Sequence, residues 1–378
     1  MKSDELSIAL HKTYGGKITT ALRDTGELTR EKLSAYYSPG VGEISRQIAK
    51  DPSKYGQYTW VNNLVAVISD GSAILGLGDL GPKAAMPVME GKSLLFKHFA
   101  DIDAIPIVLD VHTPDEIVAT VKAIAPSLGA INLEDIAAPK CFEIEDRLKA
   151  ELDIPVMHDD QHGTAIVVLA GLINAMKVTG RSLADCKIVV VGAGAAGTAI
   201  IKLLHLYAQP TILAVDSKGI VSRNRTDLNQ EKQHLLDYTN PANVDGTLAN
   251  ALTEADVFIG VSQAGILTPE HVKSMHADPI IFAMANPVPE IMPDTAKAAG
   301  AAVVATGRSD FPNQVNNALA FPGIFRGALD NGVPAITDQH KIAAAEAIAM
   351  LVPHPSPKEV IPSVFDPRLV PAIADVIR

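Results

Sequence analysis

The sequence predicts an α/β protein of two domains, the second of them doubly wound. Three observations predict it. Apolar β-type runs alternate with segments of helical character along both halves, the pattern of parallel sheets joined by crossover helices. A strand-like run, Lys187-Ile-Val-Val-Val191, enters a Gly-x-Gly-x-x-Gly turn and then an apolar-periodic helix. Two acidic pairs, Glu134-Asp135 and Asp159-Asp160, each follow a strand-like run, so in a parallel sheet they would converge at its carboxyl edge, where open α/β folds bind ligands.

In the first half the β-type runs are 64–69, 104–111, 129–133 and 154–157, with helical segments such as 92–99 and 114–124 between them. Residues 163–177 are almost wholly apolar and long enough for a buried helix linking the halves. The second half continues with runs at 211–215, 257–262, 280–285 and 302–305 and closes in a helical stretch after Asn316. The predicted domains are therefore 1–160 and 161–378, a division drawn from the change in pattern rather than from a linker. A second Gly-x-Gly-x-x-Gly, from Gly76 to Gly81, reads as a tight structural loop. It follows an Asp70-Gly71 hairpin-type turn and is followed at once by Pro82 rather than by an amphipathic helix.

The turn from Gly192 to Gly197 has the right setting for a dinucleotide. Gly192 permits the tight turn, Gly194 lets the backbone approach a pyrophosphate, and Gly197 allows close helix–strand packing, with Ala193, Ala195 and Ala196 completing the loop. The next strand ends in Asp216, nineteen residues after Gly197, where a ribose hydroxyl would be gripped. A carboxylate there favours NAD over NADP. Ser217 and Lys218 follow directly, and Arg223 and Arg225 are near, so NADP stays open as the alternative.

Composition bounds the setting. With 378 residues, 47% of them hydrophobic and 20% charged, the chain can bury two substantial cores. A net charge of −11 without a basic stripe argues against nucleic acid or an anionic membrane as partner. Cys141 and Cys186 form no Cys-x-x-Cys spacing and read as small buried hydrophobes. The amino-terminal residues lack the apolar core of a signal peptide, and no apolar run is expected to reach membrane-spanning length. A reducing cytoplasm is the expected location.

Either acidic pair alone reads as helix caps or solvated loop residues. Packed together, the carboxylates would repel one another unless a cation lay between them, and hard oxygen donors suit Mg²⁺ or Mn²⁺. His158 and His162 flank them, but the oxygen-rich set argues against zinc. A metal beside a nicotinamide fits oxidation of a 2-hydroxy acid, which needs a base for the hydroxyl proton and an acceptor for the hydride. If the product is a β-keto acid, the enolate left by departing CO₂ then needs a proton donor. Tyr37, in a Pro39-Gly40 turn, and Lys92, at an expected helix start, are candidates; a neighbouring cation would lower the lysine pKa toward neutrality.

Tyr37-Ser-Pro-Gly-Val, the run from Ser69 to Gly81, Pro87-Val-Met-Glu-Gly-Lys92, Asn132-Leu-Glu-Asp135, the run from His158 to Thr164 and Val191-Gly-Ala-Gly194 together resemble the successive signatures of malic enzymes, in family order. The likeness runs from about His11 to beyond Gly327 and is to the short microbial branch. The resemblance implies Tyr37 as proton donor to the enol, Lys92 as general base with Asp159 tuning it, and Glu134, Asp135 and Asp160 as metal ligands. It implies that Asn286, Asn316 and Asn317 contact malate or the nicotinamide, although read alone they are a turn amide and helix caps. It also implies L-malate, oxaloacetate and pyruvate as substrates and products, and a homo-oligomer, expected as a dimer. One position departs: where larger family members carry an arginine that clamps a substrate carboxylate, this chain has Ala73, so another group must hold it. The rival readings are an oxaloacetate decarboxylase using the same metal without redox chemistry, and a non-catalytic nucleotide sensor.

Overall fold

β1 (Leu64–Ser69) is buried at every residue because it lies inside a parallel sheet covered on both faces. In this computed structural model, which describes residues 3–378, β1 pairs with β2 (Asp103–Val108) on one side and β3 (Ala130–Leu133) on the other, and β3 pairs with β4 (Val156–His158). Alternate β1 residues serve opposite faces. Val65 and Val67 join the core with Met89 and Phe96, while Leu64, Ala66 and Ile68 join Ile117, Ile144 and Leu148.

The second sheet comprises β5 (Lys187–Val191), β6 (Thr211–Asp216), β7 (Gly219–Ile220), β8 (Val257–Gly260), β9 (Ile280–Ala283) and β10 (Val303–Thr306). Its order is β10-β9-β8-β5-β6-β7, parallel except for β7. The chain runs outward from β5 in both directions, which makes the carboxyl end of β5 the switch point where such sheets bind ligands. The fold class expected from the sequence is the one observed; the two-residue β7 escaped the sequence pattern.

Three local expectations are corrected. Pro82 does not bar a helix: it is the first residue of helix Pro82–Ala100, where its fixed φ and missing N–H are harmless, and Lys92 therefore lies mid-helix. Asp70-Gly71 is not a hairpin, since β1 has only parallel partners. Gly71 instead closes a loop onto Leu80 and Gly81, whose N–H groups donate to its carbonyl at 3.3 and 3.2 Å. The apolar helix runs Asp159–Thr179, 21 residues, which by length and composition would cross a membrane. Here it is a core helix. Ile166 and Leu169 share one cluster with Val65 and Phe96 of the first unit and Ile188 and Phe282 of the second. Helix Phe321–Asp330, late in the chain, packs back on the first unit through Phe321 and Phe325, whose rings lie 4.7 and 5.3 Å from that of Phe96.

Candidate active site

Leu133 and His158 are register partners in β3 and β4, so Glu134-Asp135 and Asp159-Asp160 leave the sheet side by side. Carboxylate oxygens of Glu134, Asp135 and Asp160 lie within 4.8 Å of one another. Asp135 adopts a left-handed φ of 53°, which aspartate tolerates; its N–H donates to Asp160 Oδ2 at 2.8 Å and its own Oδ1 accepts from Leu75 N–H at 3.2 Å. Glu134 Oε2 accepts from Asn132 Nδ2 at 3.0 Å. Asp159 and Asp160 occupy the first turn of helix Asp159–Thr179, where the helix dipole favours negative charge. Gly163 makes room for this arrangement, since a Cβ there would stand 1.9 Å from Asp159 Oδ1.

Lys92 reaches this cluster from helix Pro82–Ala100. Its Nζ donates to Asp159 Oδ2, lies 3.2 Å from Glu134 Oε1 and sits 4.7 Å from the centroid of the Phe321 ring. Burial alone would lower the lysine, but the charges of Asp159, Glu134 and Asp160 outweigh it and hold the ammonium above the ordinary lysine range. The carboxylates respond in the opposite sense. Burial pushes Glu134 well up and Asp159 up, and burial with the charge of Asp160 takes Asp135 to about 7. Asp135 Oδ2 and Asp159 Oδ1 are buried with no hydrogen-bond partner among the described residues. Unpaired oxygens in an all-carboxylate set fit a hard divalent cation such as Mg²⁺ or Mn²⁺, which Glu134, Asp135 and Asp160 would hold.

Glu145 supports the corner between β4 and the long helix. Its carboxylate accepts from His158 N–H at 3.1 Å and Gln161 Nε2 at 3.3 Å, and lies 2.8 Å from His162 Nε2 and 2.5 Å from Lys149 Nζ. Burial would raise Glu145, yet His162 and Lys149 hold it well below the usual carboxylate range. Asp70, bonded to Lys140 and Ser72, braces the facing loop, where Ala73 N–H donates to Asp135 O at 3.0 Å. Neither Glu145 nor Asp70 was found by sequence reading. The available signal for Glu145 was an acid among the apolar positions Cys141, Ile144 and Leu148 of helix Lys140–Glu151.

The glycine turn behaves as its spacing implies. Gly192 N–H donates to Val215 O at 2.9 Å, which fixes the turn beside the end of β6, and a Cβ on Gly197 would lie 1.7 Å from Gly192 O. A Cβ on Gly194 would meet only open space, at the start of helix Ala195–Ala208. That open helix amino end fits a pyrophosphate. Ala195 packs against the cluster containing Leu133 and Ile136, so the turn stands next to the acidic edge of the first sheet. At the end of β6, Asp216 is bonded to Arg225 and Lys232, while Ser217 and Lys218 are exposed on the turn into β7.

The remaining candidates are less closely gathered. Asn317 stands by the cluster, its Cβ 3.0 Å from where a Gly163 Cβ would be. Asn316 caps the short helix Asn317–Leu319, its Oδ1 accepting from Ala318 N–H at 2.8 Å. Asn286 is exposed, with its carbonyl near Gly76 of the loop beyond β1. Tyr37 ends helix Arg30–Tyr36, is 72% exposed, and makes no hydrogen bond to Lys92 or the carboxylates among the described residues.

Two α/β sheets, a Gly-x-Gly-x-x-Gly turn at a switch point and an adjoining lysine–carboxylate centre define a two-domain, nucleotide-binding oxidoreductase. Residues 17–149 match the malic enzyme N-terminal domain and residues 161–373 the malic enzyme NAD-binding domain. The chain belongs to the malic enzyme family. It is 55% identical to the bifunctional malic/malolactic enzyme of Bacillus subtilis, over 100% of this chain and 92% of that protein. It is 53% identical to the NAD-dependent malic enzyme of Geobacillus stearothermophilus, over 96% and 76%, and 51% identical to an NADP-dependent malic enzyme of Rhizobium meliloti, over 91% and 47%. The crystal structure of the NAD-dependent malic enzyme from Thermotoga maritima superposes with a TM-score of 0.95 at 50% identity, covering 98% of each chain.

Proposed function

We propose that this chain catalyses divalent-metal-dependent oxidative decarboxylation of L-malate to pyruvate and CO₂ with reduction of NAD, NADP being the alternative acceptor, and that it also decarboxylates oxaloacetate. The observation that carries the reading is Lys92 buried between Asp159 and Glu134, next to three carboxylates whose oxygens converge within 4.8 Å. A cation held by Glu134, Asp135 and Asp160 would polarise the substrate oxygen and stabilise the enolate charge.

Lys92 takes the hydroxyl proton as hydride leaves the carbon. To do so it must shed its own proton, and two of the three anions that keep it an ammonium, Glu134 and Asp160 though not Asp159, are ones a cation would neutralise. Asp159 orients the amine through its hydrogen bond, and Phe321 keeps water from its other side. Oxaloacetate then loses CO₂, and the Tyr37 phenol protonates the enol carbon. Asn317, by the cluster, and Asn286 and Asn316 are assigned to substrate and nicotinamide contacts. Because Ala73 offers only its backbone, already bonded to Asp135 O, a neighbouring amide or a second copy must hold the far carboxylate.

A homodimer in the cytoplasm completes the proposal. Helices Arg30–Tyr36, Val41–Lys50 and Lys54–Tyr58 bury no residue, although Leu33, Val41 and Ile44 offer apolar surface, which supports cover by a second copy. Two free, buried cysteines are in keeping with a reducing compartment.

The name of the Bacillus subtilis relative supports a second reading, malate to lactate and CO₂, in which bound reduced nucleotide returns its hydride to pyruvate. Incubation with L-malate, Mn²⁺ and either nucleotide, with pyruvate and lactate assayed together, tests both. Pyruvate equal to reduced nucleotide supports the main reading, lactate without net reduction the second, and neither product overturns both.

A further inference from the structure

We propose that Glu290 is a positioning residue that sets the distance over which hydride passes, by joining the loop beside the dinucleotide turn to the loop that carries Asn286. This rests on the reading of the chain as a malate-oxidising enzyme with its nucleotide at the Gly192–Gly197 turn.

β8 and β9 are paired up to Gly260 and Ala283, and Met284 N–H adds a bond to Gly260 O at 3.0 Å. Beyond that point the Glu290 carboxyl takes over from the ladder. Its Oε1 accepts from Ser262 N–H at 3.0 Å, two residues past the end of β8, and its Oε2 accepts from Ala285 N–H at 2.9 Å, two residues past the end of β9. The side chain is fully buried, and Gly260 makes room for it, since a Cβ there would stand 2.5 Å from Glu290 Oε1. The backbone is tied as well: Leu267 N–H donates to Glu290 O at 3.1 Å and Gly265 N–H to Pro289 O at 3.2 Å. Burial raises the carboxyl above its ordinary value and the N–H bonds offset only part of that, so the acid is costly to keep where an apolar side chain would pack.

What the carboxyl joins are the nucleotide side and the substrate side of the site. On the first, Val261 N–H donates to Val191 O at 2.9 Å, and a Cβ on Gly192 would stand 2.6 Å from Val261 O, so the segment leading to Ser262 lies against the dinucleotide turn. On the second, Asn286 follows Ala285 directly, and its carbonyl lies 4.0 Å from where a Gly76 Cβ would be. Gly76 adjoins Leu75, whose N–H donates to Asp135 Oδ1 at 3.2 Å in the candidate metal site. One acid thus spans from the turn that would hold the hydride acceptor to the loops that would hold the donor. Displacing reacting atoms by about 1 Å is enough to slow a reaction by about 10²-fold.

Glu290→Gln keeps the shape and one acceptor, but its amide nitrogen would face a main-chain N–H, so one of the two loops is released. The variant and the unmodified protein are compared by NADH dissociation constant from fluorescence, by kcat for malate oxidation, and by the isotope effect on kcat with malate deuterated at the hydroxyl-bearing carbon. NADH affinity is expected to stay within about 2-fold while kcat falls by about 10-fold or more. The isotope effect should exceed that of the unmodified protein, as hydride transfer becomes the slow step. An unchanged kcat overturns the proposal, as does a lower kcat with no larger isotope effect. Loss of NADH binding by the variant also overturns it, by making Glu290 a support of the fold alone. Each of these leaves the malate reading standing. An unmodified protein that binds NADH but does not oxidise malate overturns that reading, and this inference with it.

Discussion

Lys92 Nζ lies 3.2 Å from Glu134 Oε1, so the candidate base is ion-paired to one of the candidate metal ligands. Filling the cation site and freeing the base are therefore coupled. A metal that takes up Glu134 removes one of the charges that keep Lys92 protonated.

Removing the lysine should abolish turnover and expose the cost of the carboxylates. Lys92→Met is expected to lower malate oxidation by at least about 10²-fold with nucleotide binding unchanged. At alkaline pH it should destabilise the metal-free protein by roughly 3–5 kcal/mol, because Glu134 and Asp159 stay buried without their cation. Denaturant titration and nucleotide binding on the same preparation check both parts.

The metal-free protein should lose stability as pH rises through neutrality. Asp135 rises from the usual carboxylate value to about 7 on folding, and Glu134 and Asp159 are also raised, so the folded state holds more protons than the unfolded one. Their contribution is present at low pH and lost as pH climbs from about 4 to about 7. The raised Lys92 does not oppose this, since what it contributes is lost only above the ordinary lysine range. Thermal unfolding with EDTA at pH 6 and pH 8 should show the lower Tm at pH 8, with Mn²⁺ restoring more at pH 8 than at pH 6.

Two glycine substitutions should separate folding from nucleotide binding. Gly197→Ala places a Cβ 1.7 Å from Gly192 O and should disrupt the turn and lower Tm. Gly194→Ala meets nothing in the protein, so Tm should hold while nucleotide affinity falls by about 10-fold or more as the methyl fills the pyrophosphate position. Equal nucleotide affinity in Gly194→Ala and the unmodified protein would place the phosphates elsewhere.

The division of labour between base and acid predicts a split phenotype for Tyr37→Phe. Pyruvate formation should fall by about 10²-fold while reduction of oxaloacetate by the reduced nucleotide is largely kept. Parallel losses in both would contradict the role of the phenol.

What was legible in the sequence follows from how local each signal is. β1 was bounded to the residue because a continuous apolar run between turn residues is a local property, and the acid pairs could be placed at one sheet edge because parallel neighbours bring strand ends together. The helix bearing Lys92 extends further toward the amino terminus than its sequence pattern implies, because Pro82 reads as a breaker until its place in the first turn is known. Glu145, Asp70 and Phe321 were invisible because their partners lie on other elements: Glu145 with His162, Asp70 with Lys140, Phe321 with Lys92. Arg225 was noticed as a cation near Asp216, but sequence alone did not show that it would bond that carboxylate.

The most direct test of the central claim is a single coupled measurement: nucleotide reduction and pyruvate release from L-malate, with Mn²⁺ and after its removal by EDTA. The account predicts equal amounts of reduced nucleotide and pyruvate with the metal and neither without it. CO₂ released from oxaloacetate, with no nucleotide reduced by malate under any condition, would contradict it and make the chain a decarboxylase without redox function.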